Sequence, residues 1–178
     1  MVQARPSQEA PRTGEAAGRP GLAGKYLTFH LAKKEFAVRV TQVREIMGVQ
    51  ETTSVPRTPV YVQGVFNLRG RVVPVISLRL KLGIPEDEYT PRTCIIVVDM
   101  KGENGLVPVG VVVDGVSEVL NLQAADIEPP PDFGRGRPAA YLLGVAQSKG
   151  KAKLLLDLDF VLTTNDVLGL EQLVPAAA

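Results

Sequence analysis

Pro56-Arg-Thr-Pro-Val-Tyr-Val-Gln-Gly-Val-Phe-Asn-Leu-Arg-Gly-Arg-Val-Val-Pro-Val-Ile-Ser-Leu-Arg-Leu-Lys-Leu82 decides how the rest of the chain is read. Residues 64–68 have the composition of a strand. Arg69-Gly70 is a tight turn, with Gly70 free to take a positive φ because it has no Cβ. Residues 71–77 form the return strand. Pro74 lacks an amide hydrogen, which places that strand at an edge or on a bulge. Ser77 can cap a short helical turn beyond it. The unit is an apolar hairpin with one arginine, Arg69, at its tip.

The surroundings of this hairpin are β-rich. The chain has 178 residues, enough to bury a core as one domain or two small ones. Valines recur in short runs, aromatics are few and Trp is absent, which favours strands over helices. The net charge of +1 gives no bulk attraction to nucleic acid or to a membrane surface. No apolar run approaches the roughly 20 residues that span a bilayer. The polar N-terminus has no apolar signal core. Cys94 is the only cysteine, so an intrachain disulfide is excluded and a cytoplasmic setting is expected.

In chain order, residues 1–24 hold only Met1, Val2 and Leu22 as large apolar side chains, and the sequence predicts a disordered tail there. Residues 26–31 and 36–40 read as strands around a polar turn. Thr41 is placed to cap a short helix carrying Val43, Ile46 and Met47, stopped by Gly48. Residues 83–92 read as a connection between two similar strand-rich halves. Beyond it come strands at 93–99, 106–113 and 116–120, with turns at Asn104-Gly105 and Asp114-Gly115. A helical turn is expected at 124–127 and a Gly, Arg and Pro loop at 132–138. A last hairpin, 141–147 with 153–158, turns at Lys149-Gly150. Residues 159–164 extend it or begin a helix. A C-terminal helix is expected at about 166–173, capped by Asn165. Short strands with closely spaced turns indicate a barrel or sandwich, not a parallel βαβ sheet.

Catalytic constellations are missing from this pattern. His30, the only histidine, lies on an apolar strand without a nucleophile at hand. One Cys and one His make no zinc cluster. Asp157 and Asp159 alone cannot hold a hard metal. Neither a dinucleotide fingerprint nor a Walker A loop occurs. A β-barrel nucleic-acid binder would need a basic stripe with stacking aromatics, and Arg135 and Arg137 have no such platform. Binding is what remains. Arg69 offers a rigid fork of donors to a carboxylate or carbonyl, though taken alone it reads as a solvated turn residue. Glu45 is either a surface carboxylate or the partner of Arg69. Val43, Ile46 and Met47 read as packing residues. Gly64 is either the start of a strand or a place where another chain approaches closely.

An ordered series of short matches carries more weight than any one of them. Val43-Arg-Glu-Ile46, Gly64-Val-Phe-Asn-Leu-Arg-Gly70 and Val72-Val-Pro-Val-Ile-Ser-Leu-Arg79 lie in the first half. Val109-Gly-Val-Val-Val-Asp-Gly-Val-Ser-Glu-Val119, Ile127-Glu-Pro-Pro-Pro131 and Leu154-Leu-Leu-Asp-Leu158 lie in the second. Over residues 25–173 this series resembles the CheW family of chemotaxis coupling proteins. The resemblance implies a mainly β fold of two small SH3-like five-stranded barrels side by side, the first about 25–85 and the second about 92–164. Whether a strand is exchanged between them stays open. It also implies a non-enzymatic adaptor, without a cofactor, that couples a methyl-accepting chemoreceptor to a CheA-type histidine kinase. Arg69, Glu45, Val43, Gly64 and Asn67 would form its receptor and kinase contacts. The protein would be cytoplasmic and held at receptor arrays by its partners, in a flagellar or another chemosensory pathway.

Overall fold

The computed structural model describes residues 20–130 and 140–162. Eleven strands and two short helices follow in order: β1 (Gly24–Leu31), β2 (Lys34–Arg39), β3 (Val43–Gly48), β4 (Val62–Leu68), β5 (Arg71–Ser77), α1 (Leu78–Lys81), β6 (Cys94–Gly102), β7 (Gly105–Val113), β8 (Gly115–Leu122), β9 (Ile127–Glu128), β10 (Leu142–Ser148), β11 (Lys151–Leu156) and α2 (Leu158–Val161). They form a six-stranded sheet, ordered β8-β1-β2-β11-β10-β9, and a five-stranded sheet, ordered β3-β6-β7-β5-β4.

The hairpin with Arg69 at its tip occurs twice. Tyr61, Gly64, Val65, Gly70 and Leu78 recur, each eighty positions later, as Tyr141, Gly144, Val145, Gly150 and Leu158. The two tips share one geometry. Arg69 and Gly70 have φ of 52° and 86°, and Lys149 and Gly150 have 54° and 76°. Positive φ at both central residues matches the right-handed twist of a two-residue hairpin; the sequence reading assigned it to Gly70 alone. Each return strand then ends in a capped helical turn. The Ser77 side chain accepts from the Leu80 amide, and the Asp157 side chain from the Phe160 amide.

Each half also begins with a second hairpin, and these hairpins are exchanged. β1–β2 joins the sheet of β8–β11, where β2 runs parallel to β11. β6–β7 joins the sheet of β3–β5, where β7 runs parallel to β5. The expected barrels, 25–85 and 92–164, therefore do not coincide with the sheets, and a whole hairpin crosses in each direction. The reason lies in the two faces of β1. Leu27, Phe29 and Leu31 face one core, shared with Ile96, Val98 and Val111 of the other sheet. Tyr26, on the opposite face, enters a second core with Leu122, Ile127 and Leu155. Crossing lets the hairpin bury both faces, and each fully buried Leu or Phe side chain stabilises by roughly 1.5–3 kcal/mol.

Three further expectations change. The predicted helix at 41–48 is strand β3, preceded by a 3-10 turn, Val40–Gln42, that has no side-chain cap. Its burial alternates residue by residue, as a strand half-covered by a neighbour requires. Pro74 is not at an edge, because β5 lies between β7 and β4. The irregularity falls on β4, between Val62 and Gly64, and the parallel ladder to β7 begins only at Val75. Within the predicted tail, 1–24, Pro20–Leu22 is a 3-10 turn, and Leu22 packs on the second core. The Tyr26 hydroxyl donates to the Leu22 carbonyl at 2.6 Å, and the Arg39 guanidinium donates to the Gly21 carbonyl. The remainder of the tail, the 132–138 loop and the helix expected at 166–173 lie outside the described residues.

Candidate functional site

β3 is an edge strand, and the β4–β5 hairpin bends back over it. Met47 of β3 and Leu68 of β4 pack on one core with Phe66, Val73 and Val97, which closes the five-stranded sheet into a barrel. Arg69 sits on the outside of this seam. Its Nη1 donates to Glu45 Oε2 at 2.6 Å and its Nη2 to Glu45 Oε1 at 2.8 Å. This is the two-pronged geometry that only a guanidinium supplies. Asn67 Oδ1 accepts from the Gly70 amide at 2.8 Å and holds the turn that carries Arg69. The Arg69 side chain remains 72% exposed, against 23% for Glu45, so the outer edge of the fork faces solvent. The hydrogen bond from Arg69, and then its charge, hold the Glu45 carboxyl below its usual range, and the carboxylate in turn raises Arg69.

Of the five residues expected to make contacts, the fold brings Arg69, Glu45 and Asn67 together. Val43 lies on the same strand but is half-buried and packs toward the shared core. The ladder shifts register between Val43 and Glu45, and the intervening Arg44 turns out to meet Asp99 at 2.8 Å. Gly64 is buried at φ 141°, and a Cβ there would run into the Thr53 carbonyl. The chain that approaches Gly64 is the protein's own: Thr53 and Val65 exchange backbone hydrogen bonds of 2.8 and 2.9 Å.

The sequence reading missed a second seam. Val116-Ser-Glu-Val119 on β8 repeats Val43-Arg-Glu-Ile46 on β3, and Lys149 stands at the tip of the second hairpin as Arg69 does at the first. Lys149 Nζ lies 2.7 Å from Glu118 Oε1, with side-chain exposures of 70% and 29%. The buried Thr28 hydroxyl fixes the Glu118 backbone, accepting from its amide and donating to its carbonyl at 3.0 Å each. The shared V-x-E-[I/V] pattern was the signal that could have found it.

Arg79 and Asp114 were also missed as a pair. Arg79 Nε and Nη2 donate to the two Asp114 oxygens at 2.9 and 2.7 Å, and its Nη1 donates to the Pro85 carbonyl at 2.8 Å. Asp114 also accepts from the Ala32 amide at the β1–β2 turn, at 2.8 Å. The cluster therefore fastens one exchanged hairpin to α1 of the other barrel. Burial works to raise the Asp114 carboxyl, but the Arg79 and Ala32 hydrogen bonds and the Arg79 charge outweigh it and hold it low.

An open groove of about 480 Å³ lies where both sheets meet the N-terminal turn, lined by Leu22, Arg39, Leu106, Leu143, Asp157 and Leu158 among others. Among the described residues no group of three or more His, Cys, Asp or Glu could hold a metal ion. Burial pushes the Cys94 thiol up, so it sits protonated as a small apolar group. No helix among the described residues is long and apolar enough to cross a membrane.

Fold and seam together define the class: a duplicated two-barrel β protein with exchanged hairpins and ion-paired seams on its outer surface. The chain belongs to the CheW family; the family model for the CheW-like domain matches residues 25–166. It is 34% identical over 154 residues to the chemotaxis protein CheW of Klebsiella aerogenes, covering 86% of this chain and 87% of that one. It is 36% identical over 140 residues to the chemotaxis protein CheW of Rhizobium meliloti, covering 79% and 88%. The crystal structure of the scaffolding protein TtCheW from Thermoanaerobacter tengcongensis superposes with a TM-score of 0.70 at 30% identity, covering 82% of this chain and 96% of that one.

Proposed function

We propose that this protein is a non-enzymatic adaptor that couples a methyl-accepting chemoreceptor to a CheA-type histidine kinase. The Arg69–Glu45 seam is its docking point. The observation that carries the reading is the forked ion pair on an exposed hairpin tip, in a chain whose relatives are chemotaxis and scaffolding proteins. The mechanism is scaffolding. Glu45 holds the guanidinium in one orientation, so its outer edge meets a partner's carboxylate or carbonyl without a large ordering cost. Ile46, exposed on the same edge strand, adds one apolar side chain to the barrel surface. The receptor's helical tip and the kinase's regulatory domain bind to barrel surfaces, and changes in receptor packing reach the kinase through these contacts. The protein works on the cytoplasmic side, held at receptor arrays by its partners, whether the pathway drives flagella or another output.

Co-sedimentation tests the reading. Purified protein should pellet with receptor-bearing membranes and should bind the kinase regulatory domain without nucleotide or metal. Binding should persist at moderate salt, because apolar contact is not screened. Failure to bind both partners, or preferential binding to nucleic acid, would overturn it.

A further inference from the structure

The exchange of hairpins poses a problem of choice. The two halves repeat one another, so each sheet receives a hairpin at a corresponding place, and two hairpins compete for it. β2 and β11 are in register as Glu35 with Lys153, Phe36 with Leu154 and Ala37 with Leu155. β7 and β5 are in register as Gly110 with Val75, Val111 with Ile76 and Val112 with Ser77. Leu155 stands eighty positions after Val75, which makes Ala37 the counterpart of Gly110. Two residues back along each strand, Glu35 is the counterpart of Pro108, and Lys153 the counterpart of Val73.

The chemistry at this one position differs between the slots. In the five-stranded sheet the corresponding residues, Val73 and Pro108, lie two positions before the first ladder pair and are both buried, so this place is apolar. In the six-stranded sheet Lys153 Nζ meets Glu35 Oε1 at 2.5 Å, and the side chains are only 3% and 12% exposed. A buried ion pair is a weak stabiliser when set against apolar residues of similar volume, but losing one partner is costly because a charge stays buried and unpaired. With β1–β2 in the wrong slot, the Glu35 carboxylate would face Val73. With β6–β7 in the wrong slot, Pro108 would face the Lys153 ammonium. Either error strands a charge inside a sheet.

We propose that the buried Lys153–Glu35 pair is the discriminator that assigns each exchanged hairpin to its own sheet. Its role is to specify pairing, as buried polar residues do for register in coiled coils, and not to add net stability.

The test uses the full chain, unfolded in denaturant and refolded, with methyl-labelled Ala, Val and Leu. A nuclear Overhauser contact between Ala37 and Leu155 reports the observed pairing, and one between Ala37 and Val75 reports β1–β2 in the wrong sheet. Wild type and the charge-reversed double variant, Glu35→Lys with Lys153→Glu, should show the first contact alone. The apolar double variant, Glu35→Val with Lys153→Val, should fold but show the second contact as well, in about a tenth or more of the molecules. Refolding of the apolar variant to the Ala37–Leu155 pairing alone would overturn the proposal. Its failure to fold would also overturn it, since the pair would then be holding the sheet together and not choosing the hairpin. A mixture in the charge-reversed variant would overturn it as well.

Discussion

Arg69 grips both carboxylate oxygens of Glu45, at 2.6 and 2.8 Å, across the seam where β3 meets the tip of the β4–β5 hairpin. The two residues are 24 positions apart, and the strand and hairpin that carry them share no backbone ladder. Their contact closes the barrel on its outside while the guanidinium stays open to solvent. In the reading proposed here, Glu45 sets the direction in which Arg69 points.

That dependence gives the first expected outcome. Glu45→Gln should leave the melting temperature nearly unchanged, yet weaken receptor-stimulated kinase activity, because the guanidinium loses its fixed orientation. Arg69→Lys should recover coupling only in part, since lysine keeps the charge without the planar fork. Full coupling by both variants would show that orientation is irrelevant.

Gly64→Ala should act through the fold. Its φ of 141° is strained for any side chain, and the new methyl would strike the Thr53 carbonyl. A loss of about 1–3 kcal/mol is expected from strain of this kind, with breakage of the Thr53–Val65 bridge. Gly70→Ala, where a Cβ meets nothing within 4 Å, should cost less. Denaturant melts of the two variants decide between this and a direct contact role for Gly64.

The Arg79–Asp114 cluster should make stability fall in acid. The folded-state pKa of Asp114 is depressed, so the stability it contributes is present above the ordinary aspartate value, about 3.9, and is lost as pH falls through the folded value. Glu35, lowered first by its hydrogen bond from Lys153, acts in the same direction. Asp114→Asn should cost about 1–3 kcal/mol at pH 7 and should flatten the acid limb of the stability curve below about pH 4. An unchanged acid limb would remove Asp114 from this role.

The N-terminal turn can be dissected by truncation. A chain beginning at Pro20 keeps Leu22 on its core, and a chain beginning at Ala23 loses it together with the Tyr26 and Arg39 contacts. The shorter chain should be less stable by about 1–2 kcal/mol, the scale of one partly buried leucine. Equal melting temperatures would show that the turn contributes nothing.

The hairpin around Arg69-Gly70 was legible because its signals are local: alternating apolar residues, a turn dipeptide and a serine cap within twenty-odd positions. β3 was misread because Val43, Ile46 and Met47 fall at helical spacing. The strand's burial does alternate, but Glu45 takes a covered position and Ile46 an exposed one, so the apolar pattern does not show the two-residue period. Glu45 was legible as a possible partner of Arg69, but the seam that joins them exists only after β6 lies against β3. The sequence left exchange of a strand open and gave no sign that whole hairpins cross. β2 finds β11 through residues 118 positions apart, and nothing near Glu35 in sequence announces Lys153.

If Arg69 is a docking residue held ready by Glu45, Arg69→Ala separates coupling from folding. Receptor-stimulated kinase activity and thermal melting are measured on the same preparation, beside wild type. Removing an exposed side chain at a turn opens no cavity, so the melting temperature should hold within the small range usual for surface substitutions. Coupling should fall by about tenfold or more, the loss expected when a charged hydrogen bond leaves an interface. Normal melting with normal coupling would contradict the account and return Arg69 to the status of a solvated turn residue.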